Sequence, residues 1–297
     1  QTERDTDDAF ADERARERAG TRWSELRRAE RIRAALQTRA AMWIAIIALL
    51  IAIVVTALVQ DVGFERLLSL TVWGIMLGGV IALGAIGLTL IYGVLRFPNF
   101  SHGALVTLGA YLALTVVWIW PGQSPPLGPF SFGWDLVVGM LVAMPLVGLV
   151  AVGLDRAVYR RLRRKKSSLV LFAMASLAMA FFLRSLIYLV WGSDFHFYYQ
   201  GRSHPALALP LGIRVQPDQF FILALALVLV GGLYLLLGRT RLGKAMRATA
   251  NNPELAQVRG INTERVIAWS WVMSGALAAA GGVMYGLASQ LRPEMGF

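Results

Sequence analysis

Residues Arg239–Arg265 read RTRLGKAMRATANNPELAQVRGINTER and lie between two long apolar segments, Phe220–Leu237 and Ile267–Leu287. A few residues suffice to reverse the chain between two helices, so a strongly basic connection of this length needs another explanation. Asn252 precedes a proline, which disfavours continuation of a helix, whereas Pro253 suits a first helical turn. We therefore predict two short helices with a break between them, and we call Arg239–Arg265 the polar hairpin.

The two helices of the polar hairpin are predicted near Leu242–Ala250 and from about Pro253 to Arg259. Glu254 lies in the first turn of the second helix, where a carboxylate interacts favourably with the helix dipole. Gly260 suits the left-handed residue that ends many helices. A rigid polar hairpin beside a membrane favours a docking element for another protein. The alternative at this point is a solvated basic loop.

The composition indicates a membrane protein without metal or thiol chemistry. Hydrophobic residues make up 57% of the chain, and several apolar runs reach about twenty residues, the length of a membrane span. The absence of cysteine excludes disulfides and cysteine-based metal sites. His102, His196 and His204 are too scattered in sequence to suggest a local metal site. The net charge of +11 is explained by basic residues beside the spans, so we do not expect a nucleic-acid partner. We also expect no cofactor.

Seven segments are long and apolar enough to be membrane spans, so the predicted fold class is all-α, a polytopic bundle of membrane helices. The segments are Ala41–Val59, Leu67–Leu95, Ala104–Trp120, Leu136–Leu154, Leu169–Trp191, Phe220–Leu237 and Ile267–Leu287. Residues 41–297 are interpreted as the membrane domain.

Residues 1–40 are interpreted as an N-terminal extension. Residues 1–20 are charged, mixed in sign and poor in large apolar groups, which predicts disorder or a frayed helix. Residues 21–40 are basic with interspersed apolar residues, which fits either a helix on an anionic membrane surface or a solvated helix. This polar lead is too long for a secretory signal, so the first span is expected to be retained.

Basic residues are concentrated in alternate connections between the spans. They crowd the residues before Ala41, the segment Asp155–Ser168 and the polar hairpin, whereas Pro121–Asp135 has none. Cytoplasmic loops of membrane proteins carry an excess of lysine and arginine. The N-terminus and the polar hairpin are therefore expected in the cytoplasm, with Phe297 on the opposite side.

Small residues and one charge lie within the spans. A central arginine such as Arg184 costs about 2.5–3.5 kcal/mol to insert, so we expect it to face the bundle interior. Arg184 has two possible roles. It either contacts a substrate carboxylate, or it is structural and binds an acidic residue or backbone carbonyls. Glycines at helical spacing allow close approach of helices. Those noted here are Gly74, Gly78, Gly79, Gly84, Gly87, Gly281 and Gly282.

Residues Gly87–Tyr111 read GLTLIYGVLRFPNFSHGALVTLGAY, an apolar helix, a polar interruption and a second apolar helix. We call Arg96–Gly103 the polar junction. Pro98 and Gly103 predict a broken backbone across it. Irregular polar backbone at membrane depth persists only where it is buried in protein or lines a cavity, although a tight turn at the membrane surface is the simpler interpretation.

Three motifs follow one another along the chain. They are Gly87–Gly93 with Asn99-Phe100 and His102-Gly103, then Trp191–Asp194, then Leu242–Ala248 with Glu254, Ala256 and Gly260-Ile261. Together they resemble LivH-type permeases, the membrane subunits of branched-chain amino acid ABC importers. The cytoplasmic loop of ABC importer permeases carries E-A-A-x-x-x-G, which Glu254, Ala256 and Gly260 match with Leu255 in place of the first alanine, and the later Ile-x-Leu-Pro of that pattern is missing.

The resemblance, which covers roughly Leu67 to Phe297, implies a transporter subunit that is not itself an enzyme. Such a permease lies in the cytoplasmic membrane with a second permease, two cytoplasmic ATPase subunits and an extracytoplasmic solute-binding protein. The family continues past the equivalent of Phe297, so the chain is expected to be incomplete there. The implied coupling residues are Leu242, Arg247, Glu254, Ala256 and Gly260, and the implied substrate-pathway residues are Thr89, Asn99, His102 and Arg184.

Several alternatives remain at this stage. An importer of urea or a short amide belongs to the same family, and a channel without an ATPase would also explain the polar junction. A retinal protein is excluded because Lys165, Lys166 and Lys244 all lie in loops. Gly238–Ala245 nearly fits a phosphate-binding loop, but it follows a membrane helix and Ala245 replaces the hydroxyl that would hold magnesium.

Overall fold

The computed structural model describes residues 41, 44–45, 47–49, 51–52, 55–56, 63–122, 124–199, 201, 207–208 and 214–296. The predicted N-terminal extension, residues 1–40, lies outside the described residues. The first expected span, Ala41–Val59, is described only in part, and its described residues between 41 and 56 are helical. Residues 68–297 form one compact unit, which contains every site discussed below.

The helices confirm an all-α membrane bundle. They are α1 (Phe64–Leu95), α2 (Ser101–Ile119), α3 (Trp134–Leu154), α4 (Arg160–Arg164), α5 (Leu169–Trp191), α6 (Pro217–Arg239), α7 (Arg241–Asn251), α8 (Pro253–Val258) and α9 (Thr263–Ala288). One π-helical turn, Asp155–Tyr159, joins α3 to α4, and two short antiparallel strands, β1 (Leu207–Ala208) and β2 (Arg214–Val215), pair between α5 and α6.

Within the described part of the chain, six helical segments are long and apolar enough to cross a membrane. They correspond to six of the seven expected spans, and apart from the third segment their ends differ from the expected ones by at most a few residues. The segment Leu169–Trp191 agrees at both ends, and it stops at Gly192, whose φ of +81° favours glycine. The third of these segments is longer than expected because α3, the π-helical turn and α4 run on continuously from Trp134 to Arg164.

Helix α9 forms the centre of the compact unit, packed against α2 and α3. Glycines on these helices allow the backbones to approach closely. A Cβ atom at Gly109 would overlap the backbone of Ala279, and one at Gly282 would overlap the carbonyl group of Val106. The α2–α9 contact therefore depends on the absence of side chains at two positions.

The glycines of α1 differ from the sequence-based expectation. A Cβ atom at Gly74, Gly78 or Gly84 would meet no atom within 4 Å among the described residues, so none of these three positions needs glycine for helix packing. Gly87 does, because its Cβ would lie 2.9 Å from the imidazole Cε1 of His102. Much of α1 thus presents small and apolar groups outward, where lipid or another membrane subunit would contact them.

Candidate functional site

The polar junction is a short non-helical segment between α1 and α2. Helix α1 ends at Leu95, and Arg96 has a φ of +56°, the left-handed conformation that is uncommon for residues other than glycine. Helix α2 begins at Ser101, so the expected break at Gly103 is wrong. The break ends earlier because the Asn99 side-chain oxygen accepts a hydrogen bond from the Ser101 backbone nitrogen, at 3.2 Å, and so starts the new helix.

Asn99, Ser101 and Tyr159 form a buried hydrogen-bonded cluster. The Ser101 hydroxyl donates to Asn99 Oδ1 at 2.7 Å, and the Tyr159 hydroxyl donates to the same oxygen at 3.3 Å. The Tyr159 ring stacks on Trp271 of α9 with a centroid distance of 5.2 Å. Since Tyr159 belongs to the π-helical turn, the cluster joins the polar junction to the end of α3 and to α9.

A second set of contacts fixes the polar junction to α5. The Phe100 backbone nitrogen donates to Ser176 Oγ at 3.2 Å, and that hydroxyl lies 3.3 Å from the Pro98 carbonyl oxygen. The Phe97 ring packs between Tyr159 and Phe172, with a centroid distance of 5.1 Å to each ring. Protein groups thus satisfy and cover the irregular backbone of the polar junction, which is the condition for such backbone within a membrane.

His102 joins α1, α2 and α9. Its Nε2 lies 2.8 Å from the Gly84 carbonyl oxygen, and because a carbonyl can only accept, Nε2 carries the hydrogen. Its Nδ1 lies 3.4 Å from Ser274 Oγ, which itself donates to the Gly87 carbonyl at 2.7 Å. The imidazole is buried, so its ring position is set by these contacts rather than by solvent.

A cavity of about 590 Å³ lies beside the polar junction. Its lining is mainly apolar and includes three residues with polar side chains, Asn99, His102 and Tyr285. A mainly apolar wall with a few placed polar groups is typical of a small-molecule site. The lining residues are Val80, Ile81, Gly84, Ala85, Leu88, Asn99, Phe100, His102, Gly103, Val106, Leu177, Gly281, Tyr285, Met295 and Gly296.

The structure separates the four residues that the sequence grouped as a substrate pathway. Asn99 and His102 line the same cavity, but Thr89 lines a different groove, shared with Arg247 of α7. Arg184 lies on α5 and is partly exposed, with its guanidinium carbon 5.9 Å from the centre of the Phe181 ring. Of the four residues expected along the pathway, Asn99 and His102 line this cavity, and Thr89 and Arg184 do not.

The polar hairpin has the two predicted helices, α7 and α8, with side-chain caps at both starts. Thr240 Oγ1 accepts from the Gly243 nitrogen at 3.1 Å, and Asn252 Oδ1 accepts from the Leu255 nitrogen at 3.0 Å. Gly260 follows α8 with a φ of +81°, as predicted for its role in ending the helix. These caps make the hairpin a defined structure rather than an irregular loop.

The implied coupling residues occupy different environments in the polar hairpin. Glu254 is exposed, Ala256 is buried, and Leu242 is partly buried. Arg247 is exposed and donates a hydrogen bond to the Leu237 carbonyl at the end of α6. The hairpin is thus attached to α6 through Arg247, and its Glu254 carboxylate is exposed.

Sequence reasoning missed two contacts of basic residues. The Arg96 guanidinium donates to the carbonyl of Ala250, 154 residues further along the chain, at 2.8 Å. It also lies 3.4 Å from the Asn251 carbonyl. Arg163 pairs with the buried Asp155 carboxylate at 2.6 Å and 3.0 Å. The only sequence signal was a charge beside a span, which predicts topology and not a partner.

The second of these contacts extends to α9. Glu264, in the first turn of α9, forms an ion pair with Arg160, whose Nε lies 2.9 Å from the carboxylate, and it lies 3.9 Å from Arg163. Gln257 of α8 donates to the Thr263 hydroxyl at 2.8 Å. The basic end of α3 and α4, the start of α9 and the polar hairpin are therefore held at one end of the bundle.

Membrane-length helices around a cavity, with a capped polar hairpin at one end, define a multi-pass membrane protein of the transport class. The chain belongs to the family described as branched-chain amino acid transport system / permease component, which matches residues 70–297. It is a permease of the cell membrane. No solved structure matches the chain significantly.

The curated relatives carry the same description. The chain is 28% identical over 229 residues to the high-affinity branched-chain amino acid transport system permease protein LivH of Escherichia coli strain K12, covering 75% of this chain and 72% of that protein. It is 29% identical over 251 residues to a probable LivH permease of Methanocaldococcus jannaschii, covering 82% and 72%. It is 28% identical over 235 residues to BraD of Pseudomonas aeruginosa, covering 75% and 72%.

Proposed function

We propose that this protein is a permease subunit of an ABC importer that carries branched-chain or related small amino acids. It works with a second permease, two cytoplasmic ATPase subunits and an extracytoplasmic solute-binding protein. The observation that carries the proposal is the polar hairpin, a capped pair of helices that exposes Glu254 and is fixed to the bundle through α6 and Arg96. A channel does not need such an element, whereas an ATPase-driven permease does.

In this proposal the N-terminus and the polar hairpin are cytoplasmic. Arg160, Arg163 and Glu264 lie at the same end of the bundle as the polar hairpin. That end also carries the exposed residues Arg161, Arg164, Lys165 and Lys166. The excess of basic groups at one end of the bundle supports the cytoplasmic assignment for that end.

The cavity beside the polar junction is proposed to be part of the solute path, with Asn99 and His102 on its wall. The mainly apolar lining favours an aliphatic side chain over urea. Urea has only polar groups, and most of them would lack hydrogen-bond partners against an apolar wall. Thr89 and Arg184 are proposed to contact solute only in other positions along the path, because neither lines this cavity.

Uptake by the reconstituted complex tests the function. Vesicles containing this permease and its partner subunits are expected to accumulate labelled leucine, isoleucine and valine in the presence of ATP and the binding protein, and to take up urea poorly. ATP-independent equilibration of solute would instead indicate a channel. Saturable uptake of urea or acetamide in place of the amino acids would contradict the substrate class.

Filling the cavity is expected to block this uptake. Ala85 is exposed and lines the cavity, so Ala85→Trp can place a large ring there without displacing the helix packing. We expect uptake to fall at least about tenfold with the complex still assembled, because a transported solute needs the volume that the ring occupies. Gly78→Trp, on an open part of α1, is the matched control. Normal uptake by Ala85→Trp would exclude the cavity from the path.

Two substitutions in the polar hairpin test ATPase docking. Glu254→Lys reverses an exposed charge, and Gly260→Arg forces a side chain into a left-handed position with a φ of +81°. Both are expected to weaken copurification of the ATPase and to reduce uptake, while the permease still inserts in the membrane. Arg259→Gln, an exposed neighbour, is the control. Unchanged assembly and uptake in both variants would refute the docking role.

A further inference from the structure

We propose that Arg96 transmits movement of the polar hairpin to the wall of the cavity, as a positioning residue for transport. This inference rests on the proposed function, since it needs an ATPase that moves the hairpin. Arg96 is the first residue of the polar junction, and its guanidinium binds the Ala250 and Asn251 carbonyls at the end of α7. One side chain thus connects the docking element to the segment that borders the cavity.

The acceptors of Arg96 suit a cation. Ala250 and Asn251 are the last residues of α7, and the last four carbonyls of a helix have no partner within it. A positive charge there also interacts favourably with the negative end of the helix dipole. A hydrogen bond from a charged donor is about twice as strong as one between neutral groups, so Arg96 can hold the end of α7 when the hairpin moves.

Between α1 and α7 the structure leaves an open groove of about 250 Å³. Its walls come from the last turns of α1, from α6 and from α7, and include Thr89, Gly93, Leu237, Met246 and Arg247. Helices separated by open space cannot push on each other directly at that place. Arg96 directly follows α1, which forms one wall, and its guanidinium binds the carbonyl of Ala250, which lies in the other wall.

On the other side of Arg96, the polar junction is rigidly connected to the cavity. Phe97 is fixed between two rings, Pro98 and Phe100 share Ser176, and Asn99 is held by Ser101 and Tyr159. Asn99 and Phe100 line the cavity. A displacement of α7 that moves Arg96 therefore reaches the cavity wall through the four linked residues 97–100, whose positions are fixed by these contacts.

The alternative role for Arg96 is local. A left-handed residue directly after a helix commonly ends that helix, and glycine does this best. In that case Arg96→Gly would preserve or improve folding and leave transport intact. In our proposal Arg96→Gly keeps the same backbone conformation but removes the connection to α7. The glycine variant therefore separates the two roles without straining the fold.

The test is the number of solute molecules transported per ATP hydrolysed by the reconstituted complex. For Arg96→Gly we expect this ratio to fall about tenfold with ATPase docking retained, since a charge-assisted hydrogen bond can bias a two-state equilibrium by roughly that factor. Arg96→Lys, which keeps the cation, is expected to recover part of the loss. Arg164→Gln removes an exposed arginine elsewhere at the same end of the bundle and is expected to behave like the wild type.

A crosslink provides a second measurement that does not depend on the stability of a single variant. Residues 1–297 contain no cysteine, so Arg96→Cys with Asn251→Cys introduces two thiols where this sequence has none. A short flexible bis-maleimide, which forms a thioether with each thiol, then joins the polar junction to α7. Native thiols of the partner subunits are blocked before assembly. Recovery of the transport ratio on crosslinking supports the proposal.

The outcomes are distinct. If the wild-type complex neither hydrolyses ATP nor accumulates solute, the proposed function fails. If the wild type transports and Arg96→Gly keeps the wild-type ratio, the role of Arg96 is overturned while the function stands. It is also overturned if the uncoupled double-cysteine variant is not restored by the crosslinker.

Discussion

Leucine in place of Gly282 is expected to prevent the folded bundle from forming. Gly282 lies on α9 at its closest approach to α2, and a Cβ atom there would overlap the Val106 carbonyl group. Because that group belongs to backbone within α2, it cannot rotate away as a side chain would. Overpacking a core costs about 1–3 kcal/mol when side chains can adjust, and we expect the upper part of that range or more here.

The measurement is recovery of monodisperse protein from membranes in mild detergent, followed by its thermal unfolding midpoint. Gly78→Leu is the matched control, because it introduces the same side chain into a membrane helix at a position with no atom within 4 Å. We expect Gly78→Leu to be recovered at near wild-type yield and Gly282→Leu to aggregate. Equal yields and midpoints would show that α9 and α2 are not held at this distance.

Removal of the Arg163 guanidinium is expected to have the second largest effect. The Asp155 side chain is only 5% exposed and accepts two hydrogen bonds from Arg163, at 2.6 Å and 3.0 Å. Loss of one partner of a buried pair leaves an uncompensated charge and costs about 3–5 kcal/mol. Arg163→Leu should therefore lower the thermal midpoint strongly and loosen the junction between α3 and α4.

A double variant distinguishes the buried charge from lost packing. Asp155→Asn combined with Arg163→Leu removes the isolated carboxylate, so we expect it to recover a large part of the stability lost in Arg163→Leu alone. Arg164→Leu, an exposed neighbour, is expected to change the midpoint little. If the single and double variants unfold at the same temperature, the pair does not stabilise the fold.

The sequence determined the elements that depend on local composition. Apolar runs fixed the positions of six membrane helices within a few residues, because a span needs about twenty apolar residues whatever its neighbours are. The break before Pro253, the helix that begins there and the left-handed Gly260 were also predicted, since each is set by the conformational preference of one or two residues. The family resemblance also rested on local motifs, one of which lies in the polar hairpin.

Only the tertiary structure decided which groups meet. It placed Asn99 and His102 at one cavity and left Thr89 and Arg184 apart from it, because the rotation of each helix about its axis is set by packing. It also showed that Gly282, and not Gly78, allows a close helix contact. Arg96 binds the carbonyl of Ala250 in α7, 154 residues further along the chain. Neither composition nor periodicity carries information on a contact at that separation.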